Sequence, residues 1–346
     1  MTVQKLLQSQ TARRIAQIAL VTVLVGLTIY FAAQKNYRPV QYVQLALDGL
    51  RGGTIYALVA LGFVTVFNVT GIINFAQGAF AMLGAMIAVS VNIALADLPG
   101  VPRLLLAGLA AVLITTLVGV IMERVTIFPA RDAEPLTLII ITVGVFIVLQ
   151  GIALLIWGTD SYSLDSFTTF ETSDHIIRLG GEAEGAIPLI IRSQSFWIWG
   201  TAAVLMAGLW FFFERTMIGR ALKACSDNRQ AAALMGISPE RMSMLSFALA
   251  AAVGAIGGFV LAPATRPIYD MGLSLGLKGF IAAIIGGLVN PAAAVVGGLM
   301  LGVIENLGAG ITRAGFKDVI AFLILILMLL FRPQGLFTRQ QRVEKV

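Results

Sequence analysis

The run Leu136-Thr137-Leu138-Ile139-Ile140-Ile141-Thr142-Val143-Gly144-Val145-Phe146-Ile147-Val148-Leu149-Gln150-Gly151-Ile152-Ala153-Leu154-Leu155-Ile156-Trp157 contains no charged side chain. A helix of roughly 22 residues rises about 33 Å, enough to cross the hydrocarbon core of a bilayer. Similar runs flank it on both sides: Ile15–Ala33, Val43–Phe67, Phe75–Leu95, Leu104–Val125, Phe196–Phe213, Met242–Pro263, Gly276–Leu288, Ala292–Leu307 and Val319–Phe331. The expectation is an all-α, polytopic transmembrane helical bundle of about ten spans. The last three of these runs are short, so tilted, re-entrant or broken spans are expected there.

Composition supports lipid as the solvent. Of 346 residues, 58% are hydrophobic and 12% charged, with a mean hydropathy of +0.91. Soluble domains carry about 25% charged residues. The apolar runs recur without a soluble-looking block, so residues 1–346 read as one membrane domain. The run after Lys5, Arg13 and Arg14 is longer than the apolar part of a signal peptide and ends without a clear small-x-small cleavage site. It reads as a retained first span. One cysteine, Cys225, excludes an intrachain disulfide and a CxxC metal site, and one histidine, His175, excludes a His cluster. Cys225 reads as a small residue in a polar loop.

The net charge of +6 does not indicate nucleic acid, because the basic residues sit between apolar spans without interleaved aromatics. They indicate topology instead, since short cytoplasmic loops are enriched in Lys and Arg. With ten spans, the N-terminal segment, the Arg124–Arg131 loop, the 214–241 loop and the tail with Arg332, Arg339, Arg342 and Lys345 share one side. That side is expected to be the cytoplasm, with both termini in it. The opposite loop, 158–194, is acidic and expected to be external, with Asp160, Asp165, Glu171, Asp174, Glu182 and Glu184 against Arg178 and Arg192.

The 214–241 loop holds the sharpest local signal: Ser226-Asp227-Asn228-Arg229-Gln230-Ala231-Ala232-Ala233-Leu234-Met235-Gly236, then Ser238-Pro239. Asp227 is positioned to cap a short helix, with Gln230 reaching back. The alanines favour helix, Gly236 supplies a left-handed stop, and Ser238-Pro239 starts the next helix. Its small-residue surface suits docking in a groove of another protein. A solvated connector fits the same residues equally well.

Polar residues inside apolar runs are the remaining candidates. Asn68, Asn74, Gln77, Gln150 and Asn306 are candidate pathway-lining residues. Asn74 and Gln77, one helical turn apart, favour hydrogen bonding between helices over lining a path. Glu305 is expected to reach Lys278, and Asp48 to pair with Arg51. Glycines cluster at Gly254, Gly257 and Gly258 and again from Gly276 to Gly302, as close helix packing in lipid requires. The Gly-rich parts at 71–84 and 276–302 hint at two internal repeats.

Three segments also carry a resemblance. The first is Gly53-Thr54-Ile55-Tyr56-Ala57-Leu58-Val59-Ala60-Leu61-Gly62 followed by Gly71-Ile72-Ile73-Asn74-Phe75-Ala76-Gln77-Gly78. The second is the Gly219–Gly236 loop. The third is Lys278-Gly279-Phe280 through Gly286-Gly287 to Gly297-Gly298, with the tail Arg332-Pro333-Gln334-Gly335-Leu336-Phe337. From about Gln41 to Gly335 the chain resembles the membrane permeases of branched-chain amino-acid ABC importers. It departs from them at Val289-Asn290-Pro291-Ala292-Ala293, where Gly-Asn or Gly-Ser and then Gly-Ala are common.

The resemblance implies a permease for amino acids or, as an alternative, urea or short amides. It implies that the Ser226–Gly236 helix receives motion from a separate ATPase. No G-x-x-x-x-G-K-[ST] phosphate loop occurs in this sequence, so ATP and Mg are expected on two partner ATPase subunits and this chain is not expected to be an enzyme. A homologous second permease, an extracytoplasmic solute-binding protein and a small polar solute complete the expected partners. A stand-alone secondary transporter or channel is the second reading. It would be expected to hold acids or histidines at mid-membrane, where only Glu305 comes near. An intramembrane enzyme would need a nucleophile with its base, or paired carboxylates, and no span carries either.

Overall fold

The computed structural model describes residues 35, 37–168, 176–179, 187–332 and 334–337. The expected first span at Ile15–Ala33 lies outside them, as do His175 and most of the acidic residues of the 158–194 loop. The helices are α1 (Pro39–Thr70), α2 (Gln77–Ala94), α3 (Gly100–Met122) with a π-helical turn Glu123–Ile127, α4 (Pro135–Trp157), α5 (Ser193–Arg215), α6 (Met217–Asp227), α7 (Arg229–Leu234), α8 (Pro239–Leu261), α9 (Met271–Gly286), α10 (Pro291–Ile311) and, after a 3₁₀ turn Ala314–Phe316, α11 (Lys317–Phe331). Among the described residues, eight helices are long and apolar enough to cross a membrane, and α9 is a shorter apolar helix. The all-α polytopic reading holds. The ninth expected run, Ala292–Leu307, proves to be part of a full-length helix, whereas Gly276–Leu288 remains a short one.

Two departures are local. The 158–194 loop contains an antiparallel ribbon, β1 (Ile176–Leu179) with β2 (Leu189–Arg192), in which Ile177 faces Ile191 and Arg178 faces Ile190. β-Branched residues favour this extended pairing. The Gln44 amide fastens the ribbon to α1 by donating to Ile190 O at 3.0 Å and accepting from Ile190 N at 2.8 Å. The second departure is at the start of α2. A helix from Phe75 was expected, but residues 71–76 are irregular and the helix begins at Gln77.

Burial orders the bundle. α1, α2 and α8 are mostly buried, whereas little of α5 and α11 is buried along their apolar stretches. α1 and α10 meet through glycines: a Cβ on Gly53 would lie 2.6 Å from Gly298 O, and one on Gly49 would lie 2.7 Å from the Val303 Cα. Apolar lipid supplies no hydrophobic drive between helices, so such close backbone approach and its dispersion contacts hold them together. α2 and α8 pack the same way, with a Cβ on Gly84 lying 2.5 Å from the Ala255 Cα.

The two ends of the bundle carry different connections. At one end Asn68 donates to Val289 O at 2.8 Å, Arg131 pairs with Glu240 at 3.2 Å, and Leu336 N donates to Ile285 O at 2.9 Å. The 124–131 and 214–241 loops and Arg332 therefore gather at one end, as the charge pattern requires. At the other end Tyr37 donates to Gly310 O at 3.0 Å, Trp157 to Ser90 Oγ at 2.6 Å, and Tyr162 N to Pro267 O at 3.0 Å.

Candidate functional site

The expected single helix Ser226–Gly236 is two helices broken at Asn228. Thr216 opens α6 by accepting from Gly219 N at 3.0 Å, and α6 runs through Ser226 to Asp227. Asp227 therefore ends a helix instead of capping one. The cap of α7 is Asn228, whose Oδ1 accepts from Ala231 N at 2.9 Å. Extended backbone at Asn228 supplies the break, because it cannot continue the helical ladder. Gly236 turns with φ +85°, as expected, and a Cβ there would meet nothing within 4 Å. Ser238 occupies the cap position of α8 and Pro239 its first turn, but the Ser238 side chain makes no capping bond.

The alanines do not form one outward face. Ala232 is only 5% exposed and packs with Val69, Leu222 and Cys225, against Phe212, Phe213, Ile237 and Met242. Cys225 is thus part of a small core, not of a polar loop, and burial pushes its thiol above the ordinary thiol range. What points outward is Ala231, Ala233, Arg229 and Gln230, with Leu234 at 89% and Met235 at 82% exposure. Met217 and Ile218 on α6 are exposed as well. Large apolar side chains thus stand outside the spans on a segment whose other face is packed. Lys223 and Glu214, paired at 2.6 Å, lie beside it.

The five candidate pathway residues are spread over the molecule. Asn68 lines a cavity of about 600 Å³ with Trp210, Phe213, Glu214, Lys223 and Asn290. Asn74 and Gln77 are fully buried. Asn74 precedes the helix, so the two do not share a helical face. Its Oδ1 accepts from Ala76 N at 3.1 Å. Gln77 Nε2 donates to Ala250 O at 2.9 Å, a bond between α2 and α8, in space left open by Gly62 and Gly254. Gln150 is half-buried on α4, and Asn306 donates to Gly302 O in its own helix at 3.0 Å.

Lys278 does reach Glu305, at 2.8 Å, and also Asp318, at 2.9 Å, which joins α9, α10 and α11. Asp48 and Arg51 pair at 3.8 Å.

The sequence reading passed over two residues. Glu123 lies in an apolar run, is 1% exposed, and shares a cavity of about 40 Å³ with Thr70, Ile72, Arg131, Arg229, Glu240 and Ser243. The available signal was a lone acid ending the Leu104–Val125 run. Thr142 on α4 accepts from Phe75 N at 3.1 Å and so fixes the irregular segment before α2. Nothing in sequence marks it, because a threonine in a span most often bonds its own helix.

A family model described as the branched-chain amino acid transport system permease component matches residues 45–329. The chain is 33% identical over 309 residues to the high-affinity branched-chain amino acid transport system permease protein BraD of Pseudomonas aeruginosa, covering 88% of this chain and 98% of the relative. It is 32% identical over 310 residues to the corresponding permease LivH of Escherichia coli, with the same coverage of 88% and 98%. More distantly, it is 24% identical over 301 residues to the ribose import permease RbsC of Haemophilus influenzae, covering 85% of this chain and 86% of the relative. No solved structure matches.

Proposed function

Since this chain belongs to the permease components of branched-chain amino-acid transport systems, we propose that it works as follows. It is the transmembrane permease of an ATP-driven importer, and it forms the pathway for branched-chain or other small amino acids. The urea or short-amide alternative does not fit that family. ATP is hydrolysed, with Mg, on two separate ATPase subunits, and a homologous second permease pairs with this chain. A solute-binding protein delivers the solute to the external end, where the 158–194 loop lies. The basic end faces the cytoplasm of a bacterial cell, because Lys and Arg resist translocation.

The observation that carries the mechanism is the exposed Leu234-Met235 pair on a segment whose other face, Ala232, Leu222 and Cys225, is locked into the membrane body. An ATPase groove that accepts these two side chains grips a lever rather than a loose loop. Closure of the ATPases then moves α6 and α7 together, and the packing against Val69, Phe212 and Phe213 passes the motion to α1 and α5.

The test is reconstitution. Liposomes holding the full complex should take up labelled leucine only with ATP and the loaded binding protein, and the purified chain alone should hydrolyse no ATP. Hydrolysis by the verified single chain would refute the assignment of ATP chemistry to partners. Absence of ATP-dependent amino-acid uptake by the complex would refute the importer reading.

A further inference from the structure

The cavity around Glu123 joins parts of the chain that the proposed mechanism has not yet connected. It is lined by Arg229, the first residue of α7; by Glu123 of the π-helical turn; by Arg131; by Glu240 and Ser243 of α8; and by Thr70 and Ile72. Thr70 and Ile72 flank Gly71, whose φ of +70° turns the chain into the irregular segment before α2. That segment carries the buried Asn74 and leads to Gln77. One small polar cavity therefore touches the coupling segment and the interrupted start of a buried span.

Glu123 sits at its centre in chemical terms. Its side chain is 1% exposed and borders the cavity together with Arg229, Arg131, Glu240 and Ser243. The turn that presents it is closed by Phe128 N donating to Glu123 O at 2.8 Å, one residue wider than an α-helical turn. Widened turns of this kind recur at functional sites because they re-aim a side chain without ending the helix. Arg131 pairs with Glu240 at 3.2 Å across the same cavity, and Arg124 and Arg131 stack over Phe128 at 4.2 and 5.0 Å. A carboxylate buried this far depends on its neighbouring cations, because a charge left unpaired in a low-dielectric interior is costly. Displacing Arg229 removes a cation from the small cavity that Glu123 borders.

We propose that Glu123 is a positioning residue that ties Arg229 of the coupling segment to the 70–72 turn, so that movement of α6 and α7 reaches the start of α2. This rests on the importer reading above and adds the route by which the coupling segment acts on the buried spans.

The experiment uses the complete complex in liposomes and measures ATP hydrolysed and leucine taken up in the same sample. Glu123→Gln keeps the shape but removes the charge. The expected result is a rise of about tenfold or more in ATP used per leucine, with the ATPase subunits still bound. Arg229→Gln, on the exposed coupling segment, should raise the ratio similarly. The double variant should be no worse than either single variant, since both remove one interaction. If Glu123→Gln fails to assemble, the Arg229→Gln ratio decides. Wild-type ratios in the assembled variants, uptake and hydrolysis falling in proportion, or effects that add in the double variant would overturn the proposal. Loss of ATP-dependent uptake in the wild-type complex would instead overturn the importer reading.

Discussion

Lys278 and Glu123 both place charge in apolar sequence, and their surroundings differ. Lys278 is clamped between Glu305 and Asp318 at 2.8 and 2.9 Å, and Glu305 is fully buried. Three helices are pinned by these direct contacts. Glu123 instead borders a cavity shared with Arg131, Arg229 and Glu240, and Arg229 belongs to an exposed segment. Direct buried pairs resist relative motion, because any separation leaves a charge without compensation. A cavity-bordered charge with one partner on a surface lever can follow that lever. The first arrangement suits a fixed joint and the second a moving one.

Four experiments test this contrast. The largest effect is expected for Lys278→Met, which leaves Glu305 buried and uncompensated. A loss of about 3–5 kcal/mol is expected, read as a collapse of folded yield and thermal stability in detergent. Adding Glu305→Leu should recover part of it. If Lys278→Met is as stable as wild type, the fixed-joint description fails.

Ala232→Trp should come next, because the added bulk meets Leu222, Cys225 and Phe213. Overpacking on the order of 1–3 kcal/mol is expected, seen as local loosening of the 216–238 region to protease before any docking is tested. A protease pattern like that of the wild type would put Ala232 on the surface after all.

The paired change Leu234→Ala with Met235→Ala removes exposed side chains and should leave stability unchanged. It should weaken ATPase binding on the order of tenfold, as loss of an interface anchor does. Equal affinity would remove these residues from the contact.

The smallest effect belongs to Gly236→Ala. Space is free around Gly236, so only the left-handed backbone is penalised, at about 1 kcal/mol. A much larger cost in ATPase binding would place Gly236 against the partner.

The Lys278–Glu305 pair and the stop at Gly236 were legible in sequence. Each needs little more than residue type and spacing: two opposite charges stranded in apolar runs, and a glycine ending a helix-forming run. Asn228 was not chosen as the cap because Asp227 and Asn228 are both good caps, and only the break in the backbone decides between adjacent ones. Thr142 and Gln77 were ambiguous because their partners, Phe75 N and Ala250 O, are backbone groups, which every residue presents.

By itself the sequence determined that this chain lives in lipid, roughly where its spans fall, and which connections share the basic end. Those properties depend on local hydrophobicity and on charge summed along the chain. The tertiary structure alone decided which face of each span is inside. In α4 only Leu138, Thr142, Phe146 and Ala153 are buried, yet the exposed residues are just as apolar. Lipid and protein core reward the same side chains, so hydrophobic periodicity carries no facing signal in such a helix. α3 is a partial exception, since its buried Ala107, Gly108, Ala111, Thr115 and Gly119 are small and mark the contact face. The cavity shared by Glu123 and Arg229 also required the fold, because it brings together the π-helical turn after α3 and the start of α7, which no local pattern relates.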